Sequence, residues 1–271
     1  IDMGFVFTLQ PAIFDFTLTN KGRRTQEIKW VQQKPKIEGN SKAIMNYSIT
    51  PDSIEIAPKQ SIDFRMKLEC NLQCAFSLIP VCQASIGKQR YDLFKPEVKG
   101  IFIKPMVTFG SDRVTFTYTH DVDQEEKISG KLSTDQLISP SQELLMPITY
   151  GNTIKNNSEL PLEIQVQSER PFETSPSSFF LQPQEIQPFN ITFNTSYKKN
   201  FQSETIERKI RFAFHDNPQK YNVNVKGVMI FPNLSFSPNT TVNFGTLLKG
   251  TEETKIIKVT NTSQTQARFF W

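Results

Sequence analysis

The sequence contains few of the residues from which catalytic and metal sites are usually built. Its 271 residues include two His, three Cys and two Trp. The longest apolar runs, such as Val228 to Phe231, are far shorter than the roughly 20 residues that cross a bilayer, so we expect no membrane partner. The 31 Lys and Arg against 27 Asp and Glu give a net charge of only +4. This weak, dispersed charge argues against a nucleic-acid partner.

No arrangement of side chains in the sequence indicates an enzyme. His120 and His215 are each followed by Asp, but neither has a nucleophile nearby in sequence, and we expect both to be exposed hairpin residues. The acidic run 121–126 lacks the Gly and the distal Glu of an EF-hand loop, so a solvated charge run is the simpler interpretation. No Gly-rich phosphate loop is present. We expect no catalytic residues, no cofactor, no metal and no small-molecule substrate.

The cysteines indicate a reducing compartment. Cys70, Cys74 and Cys82 are odd in number and lie in one short region, which fits reduced thiols better than a disulfide framework. They lack both a paired C-x2-C spacing and a nearby His, so we expect buried thiols and not zinc ligands. An extracellular alternative rests on N-x-S/T triplets, which chance readily produces in a chain rich in these residues. The triplets begin at Asn46, Asn156, Asn190, Asn194, Asn233, Asn239 and Asn261.

Alternating apolar and polar residues predict half-buried β-strands. The chain has 23 Phe, and a period of two runs through residues 62–68, 114–118 and 221–225. Strands with one apolar face are typical of antiparallel sheets that pack in pairs. We therefore predict an all-β protein of antiparallel, immunoglobulin-like sandwiches. Only two short helical turns are plausible, near residues 133–137 and 141–145.

Internal repetition divides the sequence into modules. The first 30 residues align without a gap with the last 30, so that Gly4, Asn20 and Trp30 meet Gly245, Asn261 and Trp271. Residues 98–105 likewise match residues 225–232, and residues 54–68 match residues 179–193. We expect positive φ at the two Gly, side-chain to backbone bonds at the two Asn, and inward-facing Trp. The proposed repeat hallmarks are Gly4, Asn20, Trp30, Gly100, Pro105, Gly227, Pro232, Gly245, Asn261 and Trp271.

These matches predict three modules at 1–104, 105–231 and 232–271, the last one truncated. Module two carries a polar insertion at about 120–142 and lacks the Gly and the Trp of the other two. Because Ile1 already lies in patterned sequence and no initiator Met precedes it, we expect a fragment whose first module can lack its N-terminal strand. The connections hold almost no extra residues, which predicts a semi-rigid rod.

The same motifs resemble the ASH domain family, which is similar to the major-sperm-protein (MSP) and PapD-like sandwiches. The resemblance rests on the opening Val242-Asn243-Phe244-Gly245, the Asn turn, the later aromatic residue, and the closing V-K-G-x-x-I-x-P. The sequence of residues 16–24 most resembles that of a very large protein, built from many repeats, of the motile-cilium central apparatus. The resemblance implies a structural scaffold in the axoneme whose partners are other central-apparatus proteins and, directly or indirectly, microtubules. The implied role is to support ciliary motility.

One basic turn is the candidate partner contact. Lys21, Arg23 and Arg24 follow Asn20, and such a run is usually a solvated hairpin tip. The functional alternative is a contact for an acidic surface, such as a tubulin tail or an acidic peptide of the kind that MSP-like domains bind. Two other classes stay open from the sequence: a cytosolic adaptor that binds acidic peptides, and a secreted adhesive or carbohydrate-binding sandwich protein.

Overall fold

The regular secondary structure of the described residues is almost all β-strand, which confirms the predicted all-β class of antiparallel sandwiches. The computed structural model describes residues 1–86, 89–120, 145–198, 200–238 and 241–267. These residues form 22 strands and one 3-10 turn, Thr195–Tyr197. No helix in the described ranges is long and apolar enough to cross a membrane. The acidic run, both predicted helical turns apart from Leu145, and the predicted insertion beyond His120 lie outside the described residues.

Residues 1–103 form two sheet layers. The strands are β1 (Asp2–Phe7), β2 (Ala12–Thr19), β3 (Gln26–Val31), β4 (Lys36–Glu38), β5 (Met45–Thr50), β6 (Ser53–Ile56), β7 (Ser61–Cys70), β8 (Cys74–Leu78), β9 (Val81–Ile86), β10 (Gln89–Phe94) and β11 (Val98–Ile103). One layer has the order β2-β7-β5, and the other consists of the segments β10-β9-β3-β6 and β1-β11-β8-β4. Because β8 is followed directly by β9, and β10 by β11, the chain passes twice between these two segments.

The described part of residues 107–230 repeats this strand order, except that β4 has no counterpart and one long strand replaces each of the pairs β8–β9 and β10–β11. The strands are β12 (Val107–Phe109), β13 (Arg113–Thr119), β14 (Ile148–Asn156), β15 (Leu162–Gln167), β16 (Phe172–Ser175), β17 (Ser178–Leu181), β18 (Ile186–Phe193), β19 (Glu204–Phe214) and β20 (Lys220–Ile230). The sheets are β12-β14-β18-β16 and β13-β20-β19-β15-β17. β13 runs parallel to β20 as β1 runs parallel to β11. β12 is the one strand here with no counterpart in residues 1–103.

A separate two-stranded sheet follows these sandwiches. β21 (Leu234–Ser237) and β22 (Lys258–Asn261) pair antiparallel, with Leu234 opposite Asn261. The same relation joins β12 to β14, where Val107 lies opposite Asn156. The opening pair of strands is therefore the same in residues 107–156 and 234–261.

Each of the two complete sandwiches has a core rich in phenylalanine. The alternation read from the sequence is confirmed, because Phe64, Met66 and Leu68 on β7 are at most 1% exposed. Val114 and Phe116 on β13 are buried in the same way. The two segments that were matched to each other, residues 54–68 and 179–193, also bury their central apolar residues. These are Ile56, Phe64, Met66, Leu68, Phe179, Leu181, Phe189, Ile191 and Phe193.

Contacts join the first sandwich to the second without a linker. Phe7, at the end of β1, packs against the core of residues 107–231. The buried side chain of Asn217 donates from Nδ2 to the Thr8 carbonyl over 2.7 Å. Buried hydrogen bonds of this kind oppose independent movement of neighbouring units, and the direct junction fits the expected short connections.

A tight turn in each sandwich holds a non-glycine residue at positive φ. Gln184 has φ 64°, follows Pro183, and lies in a turn closed by the Glu185 N–H on the Gln182 carbonyl at 3.0 Å. Lys59, after Pro58, has φ 67° in the equivalent turn. A side chain in this region clashes with the backbone and costs about 1 kcal/mol or more.

We expect Gln184→Gly to raise the free energy of unfolding by about 0.5–1 kcal/mol, because glycine adopts this φ without the clash. Urea unfolding followed by circular dichroism measures it as a higher midpoint at constant slope. Gln184→Ala keeps the Cβ and is the matched control. An equal gain from Ala would show that the backbone conformation is not the cause.

Candidate functional site

An asparagine at the end of the second long strand of each unit holds the turn that follows. Asn20 accepts from the Gly22 N–H through Oδ1 at 2.9 Å. Its Nδ2 donates to the Arg24 carbonyl at 2.8 Å and to the Ile56 carbonyl at 2.9 Å. One side chain therefore fixes its own turn and ties that turn to the end of β6.

The same bonds occur at two further asparagines. Asn156 accepts from the Ser158 N–H at 2.8 Å and donates to the Leu160 carbonyl at 2.9 Å. Asn261 accepts from the Ser263 N–H at 3.0 Å and donates to the Thr265 carbonyl at 2.7 Å. In all three, Oδ1 binds residue i+2 and Nδ2 binds residue i+4. We call this arrangement the asparagine clamp.

A second turn packs on the clamp in both complete sandwiches. The Lys59 N–H donates to the Asn20 carbonyl at 2.8 Å, and the Asn20 N–H donates to the Gln60 carbonyl at 2.9 Å. In the second sandwich, Gln184 and Glu185 make the same two bonds to the Asn156 backbone, at 2.9 and 3.0 Å. The clamp thereby places residue 59 beside residues 21–24.

Four cations gather at the first clamp. Lys21, Arg23 and Arg24 are exposed on the turn, and Lys59 donates from Nζ to the Lys21 carbonyl at 2.9 Å. We call these four residues the basic tip. Within the described ranges, no carboxylate lies within ion-pair distance of them. Sequence reasoning found the first three and missed Lys59, although Pro58-Lys59 aligns with Pro183-Gln184.

The other two clamps carry no cation at the corresponding positions. The second clamp is followed by residues 157–159, Asn-Ser-Glu, and its packed turn has Gln184 where the first has Lys59. The third clamp is followed by Thr-Ser-Gln at residues 262–264. The shape of the turn is therefore shared by all three units, whereas positive charge belongs to the first turn alone.

The chemistry available at the basic tip is anion binding. The clamp fixes the backbone, while the four side chains extend into solvent and can reorient on a partner. Two guanidinium groups can each present a planar pair of N–H donors to a carboxylate. Exposed charges of one sign raise the association rate of an oppositely charged partner, and salt weakens this effect.

Two of the glycine hallmarks have the positive φ that was expected for them. Gly4 and Gly245 have φ of 62° and 67°. The Gly4 N–H donates to Asp2 Oδ1 at 3.0 Å, and the Gly245 N–H donates to Asn243 Oδ1 at 2.7 Å. Gly4 lies at the register shift of β1, and each of the two glycines donates to the side chain two residues before it.

Gly100 and Gly227 make room for an aromatic ring. A Cβ on Gly100 would lie 2.9 Å from Phe76 Cε1, and a Cβ on Gly227 would lie 2.6 Å from Phe193. Both glycines occupy the final strand of their sandwich.

The remaining hallmarks divide between core and junction. Trp30 is 4% exposed and makes edge contacts with Phe16 and Phe64, with ring centroids 5.6 and 6.0 Å apart. Pro105 is buried and Pro232 is half-buried. Trp271 lies outside the described residues.

The two histidines differ from one another. His215 is exposed as expected, and its Nε2 lies 3.2 Å from Asp216 Oδ2. The expectation of an exposed hairpin residue is wrong for His120, which is 9% exposed. The chain continues β13 beside the end of β20, so the His120 N–H donates to Ile230 and its ring packs 5.9 Å from Phe231.

All three cysteines are buried free thiols. The Sγ atoms of Cys70 and Cys74 are 3.5 Å apart across the β7–β8 turn. Burial, reinforced by the hydrogen bond to Cys70, raises the pKa of Cys74 to about 12. Burial also raises the pKa of Cys82 to about 11. No group of three or more His, Cys, Asp or Glu that could hold a metal occurs in the described part of the chain.

We expect Cys74 and Cys82 to resist alkylation by iodoacetamide at pH 8 in the folded chain. The thiolate is the reactive form, and a group with a pKa of about 11 is only about 0.1% ionised three pH units lower. Mass spectrometry of peptides after a timed reaction measures the modification. Both cysteines should react readily when urea unfolds the chain. Alkylation of the folded chain at the same rate as the unfolded chain would show that the two thiols are not buried.

Comparison with known proteins gives a distant relationship over the full chain. No family model matches the chain. It is 25% identical over 316 residues to the hydrocephalus-inducing protein of Mus musculus and 24% identical over 319 residues to the homolog of Homo sapiens. The chain is a distant relative of these two proteins. Both alignments cover all of this chain but only 6% of the relative, so the chain spans a small part of their length.

Solved structures with PapD-like and MSP-like domains also match. The periplasmic chaperone SfaE is 13% identical and matches with a TM-score of 0.29, over 46% of this chain and 57% of that one. SSP-19, an MSP-domain protein like family member in Caenorhabditis elegans, is 14% identical with a TM-score of 0.21. That match covers 36% of this chain and 90% of SSP-19.

Proposed function

We propose that this chain is part of a non-enzymatic scaffold of the motile-cilium axoneme, a Hydin-like component of the central apparatus. In this role it docks other proteins on microtubule projections and supports ciliary motility. The observation that carries the proposal is the similarity to the hydrocephalus-inducing proteins along the whole chain. The ASH-like motifs in the sequence support the same assignment.

The features that recur between the units of the chain suit a structural role. The clamp asparagines bind backbone groups of their own turn, and Gly227 makes room for a buried ring. Both features shape a sandwich and leave its outer surfaces free to differ between units. A rod of such units can present a different surface at each step along its length.

We propose further that the basic tip is the docking contact of the first sandwich and that its partner presents carboxylates. An acidic tail of tubulin or an acidic segment of a neighbouring central-apparatus protein has this chemistry. The positive charge on only one of three otherwise similar turns supports the assignment, because no carboxylate in the described part of the chain pairs with these four cations. Binding through exposed charges weakens as salt increases.

Localisation of the endogenously tagged full-length protein in cells with motile cilia tests the scaffold proposal. We expect the tag along the axoneme, retained after detergent removes the ciliary membrane, and lost from the central apparatus when that structure is absent. A diffuse cytosolic signal, a membrane-contact signal or secretion would each contradict the proposal. Axonemes assembled without the protein should beat abnormally although their outer microtubules are intact.

A further inference from the structure

The turn between β19 and β20 in the second sandwich bonds to the backbone of the first sandwich. Asn217 is buried in this turn, and its Nδ2 donates to the Thr8 carbonyl over 2.7 Å. Its Oδ1 accepts from the Gln219 N–H at 3.1 Å, so the other end of the amide is held by its own turn. Oδ1 therefore binds residue i+2 as in the asparagine clamp, but here Nδ2 reaches a different unit of the chain.

The acceptor of this bond is firmly held within the first sandwich. Thr8 is 0% exposed, and its N–H donates to the Ile103 carbonyl at 2.8 Å. The next residue, Leu9, has φ 60° and donates its N–H to the Cys70 carbonyl at 2.8 Å. A non-glycine residue keeps such a conformation only where its surroundings fix it. The Thr8 carbonyl is thus a fixed point of the first sandwich.

The short connection that joins the two sandwiches is bonded to the second one. Pro105 is buried in this connection. The Met106 N–H donates to Ser158 Oγ at 2.8 Å, and the Met106 carbonyl accepts from the Asn157 N–H at 2.8 Å. A hinge needs residues whose φ and ψ can change. The backbone bonds of Met106 oppose such a change on this side of the connection.

The next junction uses an acceptor at the equivalent position. His120 follows β13 as Thr8 follows β1, and its N–H donates to the Ile230 carbonyl at 2.9 Å. The His120 carbonyl accepts from Thr265 Oγ1 in the third unit at 2.9 Å. In both units, the residue just beyond the parallel-paired strand therefore offers its carbonyl to a side chain of the following unit.

We propose that Asn217 is the positioning residue of a fixed joint, which holds the first two sandwiches at one angle so that they move as one body. The packing of Phe7 on the second core supports the joint from the other side. Rotation of one sandwich against the other would break the directional Asn217 bond and leave two buried polar groups unpaired. The joint therefore keeps the basic tip in one orientation relative to the second sandwich, which a flexible linker does not do.

The distance between two spin labels tests the joint in the 271-residue chain. Ser48 and Gln165 are exposed strand residues, one in each sandwich. Each is replaced by an unnatural amino acid that carries the label, which leaves the native cysteines unmodified. Double electron–electron resonance then measures the distribution of distances. We expect one narrow distribution for the chain with no further change, and a broad distribution would overturn the proposal.

Asn217→Asp removes the hydrogen-bond donor and keeps the shape of the side chain. One oxygen still accepts from the Gln219 N–H, whereas the other repels the Thr8 carbonyl. The share of molecules outside the original distance range should rise at least about tenfold, because a carboxylate that is buried and unpaired is strongly unfavourable. Asn222→Asp adds the same charge at an exposed position of β20 and should leave the distribution unchanged.

A second variant and a folding control keep the test decisive. Phe7→Ala removes the packing on the second core without altering the Asn217 turn, and it should also broaden the distribution. Circular dichroism and hydrogen exchange of the core strands check that both sandwiches stay folded. A distribution that stays narrow in both Asn217→Asp and Phe7→Ala would overturn the proposal, as would equal broadening by Asn222→Asp.

Discussion

Replacing Asn156 by Ala should lower the free energy of unfolding by about 3–4 kcal/mol. The side chain is 0% exposed and donates from Nδ2 to the carbonyls of Leu160, Leu181 and Gln182. Its Oδ1 also accepts from the Ser158 N–H. Each buried backbone group left without a partner costs about 1–3 kcal/mol, and water reaches some of them after the change. Urea unfolding followed by circular dichroism measures the loss.

Asn157→Ala is the matched control for this prediction. Asn157 is the next residue, is half-buried, and makes one side-chain bond, from Nδ2 to Thr108 Oγ1 at 3.1 Å. Its loss should cost less than about 1 kcal/mol. Equal losses from the two variants would show that the clamp is not what holds this turn. Asn20→Ala should fall between them, because Asn20 is half-buried and makes one bond fewer.

Gly227→Ala should destabilise the second sandwich by about 2–3 kcal/mol. The new Cβ would lie 2.6 Å from Cε2 and Cζ of Phe193, a ring that is 0% exposed. Phe193 also packs against Phe116 and Phe172, with centroids 5.8 and 5.1 Å away. The ring therefore has no free space to move into, and relief of the clash must displace the backbone.

Gly151→Ala tests whether the effect comes from this contact or from glycine in a strand generally. Gly151 lies on β14, is exposed, and a Cβ there would meet nothing closer than Asn190 Oδ1 at 3.7 Å. Alanine at such a position loses less backbone entropy on folding, so we expect no loss or a gain of about 0.5 kcal/mol. A loss as large as that of Gly227→Ala would contradict the steric explanation.

Much of this fold can be predicted from local pattern. Alternation along β7, β13 and β20 identifies the inward residues because a strand side chain has only two directions available. The asparagine turns are predictable for a similar reason, since a short amide bonds to backbone two to four residues away. Both patterns lie within about ten consecutive residues, so they can be recognised without knowledge of the tertiary structure.

The features that were missed depend on contacts between distant residues. Lys59 joins the basic tip through a turn that packs on Asn20, 39 positions earlier in the sequence. His120 is buried because β13 runs beside the far end of β20. Neither alternation nor motif spacing contains this information.

Shape and charge are separate properties in this chain. The clamp gives the three turns the same backbone geometry. The neighbouring residues differ between the turns and determine the charge of the exposed side chains. Only the first turn presents cations. Lys59 bonds through Nζ to the Lys21 carbonyl, whereas Asn20 bonds Arg24 through its backbone carbonyl, so the side chains of Arg23 and Arg24 can be changed without removing a bond of the clamp. The basic tip can therefore be tested without loss of the fold.

The most direct test is capture of axonemal proteins by the purified chain and by two charge-reversal variants. Arg23→Glu with Arg24→Glu alters the tip, and Lys209→Glu with Arg211→Glu makes the same change in net charge on the exposed face of β19. Quantitative mass spectrometry at low and moderate salt measures the captured acidic partners. We predict that the tip variant loses about 90% of the captured partner, which corresponds to a tenfold weakening at low occupancy, while the β19 variant retains it. Equal capture by all three proteins would contradict docking through the basic tip.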